Sequence, residues 1–359
     1  MSKILLLANH DIVIYNFRLE LIEKLISDGH TVVVSSPYGE RIDELVGLGC
    51  VFCETKVDRH GINPLKELKL ISQYKKLIKQ ENPDYVFTYT IKPNIYGSIA
   101  CRKLKVPCVV NITGLGNAVE KKGFMQKMCV FLYKYALKKV KKVFFQNVEN
   151  MQFFTDNKIA IGKHELLPGS GVNLQRFTAK PYPTSQDIHF AFIARIMKEK
   201  GIEEYLEMAK IIKQKYPNVV FHVCGFCEQN YEQELAKLNE EGIVNYHGMI
   251  KDVCCFLDEI HCVILPSYHE GMSNTLLESA ASARPIIASD CAGCRETVDN
   301  GVSGYLVNVK DVDDLVASVE KFISLTNEER IKMGLAGRVK VEKEFDRRIV
   351  VEKYVEMIN

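Results

Sequence analysis

The stretch ILPSYHEGMSNTLLESAASARPIIASDCAGCRE, residues 264–296, decides how the second half of this chain folds. An apolar run ends at Pro266-Ser267, a loop carries Glu270-Gly271, and a helix is predicted to start at Ser273-Asn274. Serine and asparagine cap helix starts, and the unpaired N–H groups of a first turn attract anions. The pattern predicts a strand, a turn and a helix whose N-terminus faces a phosphate group.

Two glutamates of this stretch are candidates for contacts with a nucleotide that carries a sugar. Glu270 precedes the predicted helix and is placed near the sugar, whereas Glu278 lies inside the helix at the level of a ribose, whose vicinal hydroxyls suit a carboxylate acceptor. The alternative is an exposed helix with two ordinary glutamates. The preceding Pro-Ser, Gly271 and the later Gly293-Cys294-Arg295-Glu296 favour the functional interpretation.

A second cluster, FIARIMKEKG (192–201), places Arg195 at the end of an apolar run and Lys200-Gly201 at the start of the next helix. Two cations at the carboxyl end of a strand can hold a diphosphate and stabilise its charge as a bond to it breaks. A solvated loop is the alternative for such a pair considered alone. Gly225, at the end of the following strand, is a further candidate for close approach of a donor.

Short apolar runs alternate with amphipathic helical stretches along the whole chain, which favours parallel sheets covered by helices. In the first half the predicted strands are 3–8, 30–36, 50–55, 84–90, 108–113 and 143–147. In the second half they are 188–195, 218–225, 243–248, 262–267, 284–290 and 303–308. The expected fold is α/β, with two Rossmann-like, doubly wound parallel-sheet domains that face a cleft.

The domain boundaries follow from composition. A stretch rich in Pro, Gly, Ser and Thr predicts an N-terminal domain 1–166, a linker 167–187 and a C-terminal domain 188–344, with a last helix 345–359 that packs back on the first domain. The net charge of +2 conceals about +11 in residues 1–180 and about −9 in residues 181–359. A basic half favours anionic partners such as phosphates, nucleic acid or an acidic membrane surface.

These motifs resemble glycosyltransferase family 4, whose members are retaining enzymes of the GT-B architecture. The resemblance covers nearly the whole chain. It rests on Arg195 and Lys200 in one loop, on Pro-Ser and Glu270-Gly271, and on Glu278 eight residues further on. It implies catalytic roles for Glu270, Arg195 and Lys200, and a donor site that includes Glu278, Gly271, Ser273, Asn274 and Gly225. It also implies a leaving diphosphate stabilised by cations rather than by a metal ion, so that no cofactor is expected.

The stretch TYTIKPNIYGSIACRKLKVPCVVNITGLGN (88–117) resembles bacterial enzymes of this family that add N-acetylhexosamine or related sugars to glycans on undecaprenyl diphosphate, for capsule, O-antigen or protein glycosylation. The resemblance implies a UDP-sugar donor and a lipid-linked saccharide acceptor. Candidates for the acceptor site are Thr113, Gly114, Lys92, His10 and Asn16. Two departures stand out: the predicted loop NHDIVIYNF (9–17) has no glycine, and Ala283 stands where relatives often have glycine.

The stretch EKKGFMQKMCVFLYKYALKKVKKV (120–143) interleaves lysines with Phe124, Phe131, Leu132, Tyr133 and Tyr135. A cationic, aromatic-rich amphipathic helix can lie in the headgroup layer of an anionic membrane. The alternative is a helix that covers the sheet and has a solvated basic side. No secretory signal and no long apolar run occur, so the expected location is cytoplasmic, at the inner face of the plasma membrane.

Metal and redox sites have weak support in the sequence. Three Cys-x-x-C pairs, Cys50/Cys53, Cys224/Cys227 and Cys291/Cys294, are scattered over separate strand ends, and small packed residues explain them better than zinc or a disulfide. Asp311 and Asp313 lie in a polar stretch and are expected to be solvated.

Three other functions compete with sugar transfer. A UDP-sugar epimerase shares the two-domain architecture and needs no acceptor. An NAD(P)-dependent oxidoreductase is disfavoured because Gly114-x-Gly116 is only a fragment of the dinucleotide fingerprint. Nucleic-acid binding, suggested by the basic first half, predicts salt-sensitive binding without sugar transfer.

Overall fold

The computed structural model describes residues 1–58, 63–116 and 123–358, which form two compact α/β units. Unit 1 comprises Met1–Ser170 and Arg347–Asn359, and unit 2 comprises Gly171–Asp346. The segment 167–187, predicted as a linker, is divided at Ser170, and most of it belongs to unit 2.

Unit 1 is built on a parallel sheet of seven strands in the order β3-β2-β1-β4-β5-β6-β7. The strands are β1 Lys3–Leu7, β2 Thr31–Ser35, β3 Val51–Phe52, β4 Tyr85–Tyr89, β5 Cys108–Ile112, β6 Lys142–Phe145 and β7 His164–Leu166. The helices are α1 Asp11–Ser27, α2 Ile42–Gly47, α3 Pro64–Glu81, α4 Ser98–Leu104, α5 Phe124–Ala136, α6 Val148–Asp156 and the C-terminal α13 Arg347–Val355. Strand order reverses at β1, which places the expected ligand site outside the carboxyl ends of β1 and β4.

The C-terminal helix α13 belongs to the core of unit 1. The Tyr354 ring packs against Phe87 and Phe144, with centroids 5.2 and 5.0 Å away, and its hydroxyl accepts a hydrogen bond from Nδ2 of Asn111 at 2.7 Å. Arg347 forms an ion pair with Glu20 of α1 at 2.8 Å. Because these contacts are buried, α13 completes one face of the first sheet.

Unit 2 is built on a parallel sheet of six strands in the order β10-β9-β8-β11-β12-β13. The strands are β8 Ile188–Ile193, β9 Val219–Cys224, β10 Asn245–Tyr246, β11 Cys262–Leu265, β12 Ile286–Ser289 and β13 Gly304–Val307. The helices are α7 Ile202–Lys215, α8 Glu232–Glu240, α9 Val253–Phe256, α10 Asn274–Ala281, α11 Val312–Ser324 and α12 Asn327–Glu344. Strands covered on both faces need apolar residues throughout, which explains runs such as CVIL and IIAS.

Two segments differ from the sequence-based expectation. The stretch 9–17, predicted as a loop, is helical from Asp11 onward, because His10 caps the helix and Ile14, Leu21, Ile22 and Leu25 line its buried face. Helix α6 and strand β7 were not predicted. Both are short, and β7 is an edge strand of three residues whose sequence, HEL, carries no apolar run.

A row of histidines crosses the second sheet. Nδ1 of His189 lies 3.0 Å from Nε2 of His222, and Nδ1 of His222 lies 2.9 Å from Nε2 of His247. Burial, reinforced by the two neighbouring imidazoles, lowers the pKa of His222 to about 3. Burial lowers the pKa of His261 on β11 to about 4, helped by His189 and by Arg330 and Arg284. Burial also lowers the pKa of His189 and of His247. Asp187 and Glu259 oppose this lowering at His189, and Glu259 opposes it at His247.

We expect this row to make unit 2 sensitive to acid. The folded-state pKa of His222 lies below the ordinary value of 6.5, so its contribution to stability is complete above pH 6.5 and is lost as the pH falls from 6.5 toward 3. At pH 5 the loss is about 2 kcal/mol for this residue alone. Urea unfolding at pH 7.5 and pH 5.0 measures it. The difference between the two pH values should shrink in His222→Phe and should persist in His164→Phe, a control in unit 1.

Candidate active site

The predicted catalytic residues Lys200 and Glu270 form an ion pair at the carboxyl ends of β8 and β11. Their side chains are only 16% and 13% exposed. The hydroxyl of Ser267 donates a second hydrogen bond to Oε1 of Glu270 at 3.0 Å. A carboxylate with two donors is fixed in position. The pair therefore places one anionic group and one cationic group at the edge where parallel sheets bind ligands.

Two glycines let the loops at this edge approach each other. Gly201 has φ of +76°, and an added Cβ would overlap with the backbone carbonyl of Pro266. At Gly293, where φ is +78°, an added Cβ would lie 2.7 Å from Cβ of Glu270. The Glu270 amide also donates to the carbonyl of Ala292 at 3.0 Å. Backbone contacts of this kind hold Lys200 and Glu270 in place more firmly than side chains alone.

Helix α10 begins beside this pair. Ser273 is its N-cap and accepts a hydrogen bond from the Leu276 amide, as the sequence predicts. Oδ1 of Asn274, the first helical residue, is buried and has no hydrogen-bond partner within the described ranges. Gly271 precedes the cap, and Glu278 is half-buried on the helix. The positive end of the α10 dipole and an available amide oxygen therefore lie next to Lys200–Glu270.

Arg195 has a separate partner. It follows β8, and its guanidinium forms an ion pair with Glu228, which follows β9. Sequence analysis did not select Glu228, although a carboxylate shortly after a strand end was a usable signal. Gly225 lies between them in sequence, and an added Cβ there would overlap with the carbonyl of Ala194. Close packing of two loops explains this glycine without a ligand.

The pair Cys291 and Cys294 lies directly behind the candidate site. The Cys291 thiol donates to the carbonyl of Ser267 at 3.4 Å, and both cysteines are buried and free. The neighbouring Cys291 thiol and burial raise the pKa of Cys294 well above its ordinary value. Because a buried thiol with a raised pKa is unreactive, Cys294 acts as a small packing group.

In unit 1, Lys92 and Glu67 form an ion pair of 2.5 Å with side chains 14% and 11% exposed. Lys92 follows β4 and precedes a short π-helical turn, Pro93–Gly97. Thr90, two residues before it, has φ of +70°, a strained value for a β-branched residue. Thr113 and Gly114 follow β5 and are half-buried. These candidates therefore follow neighbouring strands of one sheet.

His10 and Asn16 have different positions on α1. Nδ1 of His10 lies 2.7 Å from the carboxylate of buried Asp11 and 3.3 Å from the Ile12 amide. Nδ1 accepts the hydrogen bond from the Ile12 amide, and through this bond His10 caps α1. Asn16 is exposed on the helix, and its carbonyl accepts from Arg347. Asn16 therefore lies within a helix, whereas the sequence analysis predicted that it lies in a loop after β1.

The lysine-rich segment is a shorter helix than the predicted 120–143. Helix α5 ends at Ala136 and continues as a 3-10 turn to Lys139, whereas Lys142 begins β6 and pairs with Glu165. Residues 120–122, with Lys121 and Lys122, lie outside the described residues. The buried side of α5 carries Cys129, Tyr133 and Ala136. Its outer side exposes Phe124, Phe131 and Tyr135, which are 81%, 67% and 41% exposed, beside Lys127, Lys134 and Lys138.

The described chain has no helix that is both long and apolar enough to cross a bilayer. Over the same residues, no group of three or more His, Cys, Asp or Glu side chains is arranged to hold a metal ion. Asp311 has a structural role instead of being merely solvated, because it caps α11 by accepting from the Asp314 amide at 3.0 Å.

Two family models match the chain. Residues 187–324 match the model described as glycosyl transferases group 1, and residues 3–147 match the model described as glycosyl transferase 4-like. The chain is 27% identical to the N,N'-diacetylbacillosaminyl-diphospho-undecaprenol alpha-1,3-N-acetylgalactosaminyltransferase of Campylobacter jejuni, over 96% of this chain and 95% of that protein.

Other similarities point the same way. The chain is 26% identical to the UDP-Gal:alpha-D-GlcNAc-diphosphoundecaprenol alpha-1,3-galactosyltransferase of Escherichia coli, over 71% of this chain and 70% of that protein. Its fold resembles Anabaena HepE, crystallised with UDP and glucose, with a TM-score of 0.83 at 16% identity over 100% and 99% of the two chains.

The two parallel-sheet units and these similarities define a glycosyltransferase of the GT-B architecture. Within that class, the chain belongs to glycosyltransferase family 4, with a group 1 domain in its second half and a 4-like domain in its first.

Proposed function

We propose that this glycosyltransferase moves an N-acetylhexosamine from a UDP-sugar to a saccharide carried on polyprenyl diphosphate, in the assembly of a bacterial surface glycan. The observation that carries the proposal is the partly buried Lys200–Glu270 pair beside the start of α10, at the strand ends of unit 2. The activities for which the Campylobacter and Escherichia relatives are named, both on undecaprenyl-diphosphate-linked acceptors, support the acceptor class.

The proposed chemistry needs no metal ion. Arg195, Lys200 and the N-terminus of α10 stabilise the negative charge that develops on the leaving diphosphate, because fixed charges in a partly buried site lower the energy of such a transition state. Glu278 accepts hydrogen bonds from the ribose, and Glu270 contacts the sugar. The acceptor hydroxyl attacks from the face that the diphosphate leaves, and its proton passes to a departing phosphate oxygen, so the anomeric configuration is retained.

We further propose that α5 rests on the anionic inner surface of the plasma membrane, so that the enzyme works from the cytoplasm on an embedded acceptor. The exposed Phe124, Phe131 and Tyr135 form one stripe, flanked by Lys127, Lys134 and Lys138. Aromatic rings flanked by lysines suit a headgroup layer that contains anionic lipids.

Replacing Lys127 and Lys134 with serine should weaken binding to vesicles of phosphatidylcholine and phosphatidylglycerol by about thirtyfold, since each lysine near such a surface contributes about 1 kcal/mol. Vesicle sedimentation measures the effect. The variant Phe124→Ser/Phe131→Ser should weaken vesicle binding more than the lysine variant does. The control Met249→Ser/Val339→Ser, which removes two exposed apolar side chains from unit 2, should leave vesicle binding unchanged. Equal sedimentation of the lysine variant and the wild type would reject membrane docking by α5.

A panel of UDP- and GDP-sugars tests the function directly. Each donor is incubated with and without an N-acetylhexosamine on a short polyprenyl diphosphate, and nucleotide release and the glycan product are measured. Acceptor-dependent release of UDP, with a product of retained configuration, is the expected result. Isomerised donor without transfer would indicate an epimerase, and salt-sensitive binding of RNA or DNA without release of UDP would indicate a nucleic-acid-binding protein.

A further inference from the structure

A concave site lies wholly within unit 1, and four of its ten lining residues are lysines. It is a cavity of about 460 Å³ between the segment after β3, the first turns of α3 and Lys92 after β4. Its charged lining residues are Lys56, Asp58, Lys66, Glu67, Lys69 and Lys92. Four lysines and two carboxylates leave a net charge of +2, so the cavity suits an anion.

The six charges fall into two groups. Lys92 with Glu67 and Lys66 with Asp58 form ion pairs of 2.5 and 3.0 Å, the first nearly buried and the second exposed. Lys56 and Lys69 are exposed and have no ion pair with any carboxylate that the structure describes. The two paired lysines shape the wall, and the other two remain able to bind a ligand.

We propose that this cavity is the subsite for the diphosphate of the lipid-linked acceptor, an inference that rests on the proposed function. A diphosphate that is esterified at both ends, by a sugar and by an isoprenoid, carries two negative charges, which match the net +2 of the lining. Lysine binds phosphate as a mobile point charge with three donors. Lys56 and Lys69 neutralise one phosphate each, while Lys92, held by Glu67, closes the inner wall.

Helix α3 also carries two exposed apolar side chains that do not line the cavity. Leu65 and Leu68 of α3 are 76% and 63% exposed. At 100° per residue, Leu65 lies about 40° from Lys69 around the helix, and Leu68 lies about 60° further from the lining residues, both away from the buried Leu70. Leu65 and Leu68 on the same helix as Lys69 repeat the order of hydrocarbon and phosphate in the acceptor. We assign them to the first isoprene units.

The test is equilibrium binding of a geranyl diphosphate ester of N-acetylglucosamine, measured by calorimetry. Lys56→Ala/Lys69→Ala should lower its affinity about a hundredfold, since each charge-assisted hydrogen bond lost costs about 1.5 kcal/mol, or roughly tenfold. Lys75→Ala/Lys79→Ala removes two lysines from α3 that do not line the cavity and should have no effect. The affinity for UDP should be the same in all three proteins.

Chain-length dependence tests the assignment of the two leucines. Leu65→Ser/Leu68→Ser should weaken binding of the geranyl ester about tenfold and leave the corresponding methyl ester unchanged. An unchanged affinity of Lys56→Ala/Lys69→Ala for the geranyl ester would overturn the proposal. So would a parallel loss of UDP affinity, which would assign the cavity to the donor, or equal binding of inorganic pyrophosphate by the wild type, which would show a site for free phosphates.

The binding measurement also separates this inference from the proposed function. If the wild type binds the geranyl ester through Lys56 and Lys69 but transfers no sugar to it, the subsite stands and the proposed acceptor reaction fails. If transfer occurs with unchanged acceptor KM in Lys56→Ala/Lys69→Ala, the reaction stands and the subsite fails.

Discussion

Replacing Lys200 with alanine is expected to lower kcat for sugar transfer by at least two to three orders of magnitude. A fixed cation that faces charge developing on a leaving group contributes about that much, as the removal of single charge-stabilising donors does in other enzymes. Lys200 is only 16% exposed and its ammonium group is held by Glu270, so no neighbouring solvent cation replaces it. Initial rates at saturating donor and acceptor measure kcat apart from KM.

In this experiment, a loss of folding stability must be distinguished from a loss of catalytic activity. Breaking a fully buried ion pair leaves an uncompensated charge and costs about 3–5 kcal/mol of stability, and breaking this partly buried pair should cost less. The double variant Lys200→Ala/Glu270→Ala removes both charges, so it should regain much of that stability and none of the activity. Lys215→Ala breaks an exposed ion pair with Glu320 in the same unit and should affect neither property. Recovery of transfer in the double variant would show that the pair is only structural.

Glu270→Gln tests the other half of the pair. It keeps the size of the side chain and an acceptor for the Ser267 hydroxyl, but it removes the negative charge. If Glu270 contacts the sugar, kcat falls while the melting temperature changes by only a few degrees. Activity within threefold of the wild type would exclude Glu270 from the catalytic set.

The sequence predicted the site of unit 2 better than that of unit 1. Lys200, Glu270 and Ser273 lie close together in the structure, as the sequence predicted. Strand ends and helix starts are local features, and the sequence signals them here by Pro-Ser, by Glu-Gly and by a helix cap. The sequence did not predict the partner of Arg195. Glu228 contacts Arg195 only because β8 and β9 are neighbours in the sheet, and the order of strands in a sheet cannot be inferred from any single segment.

In unit 1 the errors have physical causes. The first turn of α1 contains Ile12, Val13 and Ile14, β-branched residues that favour strands, so local propensity favoured a loop or strand over a helix. The His10 cap and burial of Ile14 outweigh that preference. The sequence analysis did not group the lysines around α3, because their shared cavity depends on packing between segments 56–58, 66–73 and Lys92.

Backbone conformation accounts for another departure. Ala283, at a position where the family resemblance implies a glycine, has φ of +56° after α10. This left-handed conformation costs an alanine about 1 kcal/mol relative to glycine. The chain tolerates the cost because Ala283 is buried and its carbonyl packs against Gly334 of α12. Neither the strain nor the contact is visible in a single sequence.

Gly225→Ala is expected to have the largest effect on stability of any single substitution considered, a loss of at least 4 kcal/mol. The residue has φ of +145°, and an added Cβ would overlap with the backbone carbonyl of Ala194. A backbone atom cannot rotate away as a side chain does, so the ends of β8 and β9 must separate. Their separation breaks the hydrogen bond from the Ala194 amide to the Cys224 carbonyl, at 3.0 Å. Costs this large are exceptional among point mutations and come from few mechanisms.

The matched control is Gly242→Ala, which follows α8 in the same unit. Gly242 has φ of +68°, but an added Cβ would meet nothing within 4 Å. The substitution therefore introduces only backbone strain and should cost about 1 kcal/mol. Thermal unfolding of both variants, with and without UDP, distinguishes packing from ligand contact at Gly225. If Gly225→Ala unfolds like the wild type and loses only the stabilisation by UDP, the glycine is required for donor binding. A large loss of stability without UDP shows that the glycine is required for the fold, because the steric conflict exists before any ligand binds.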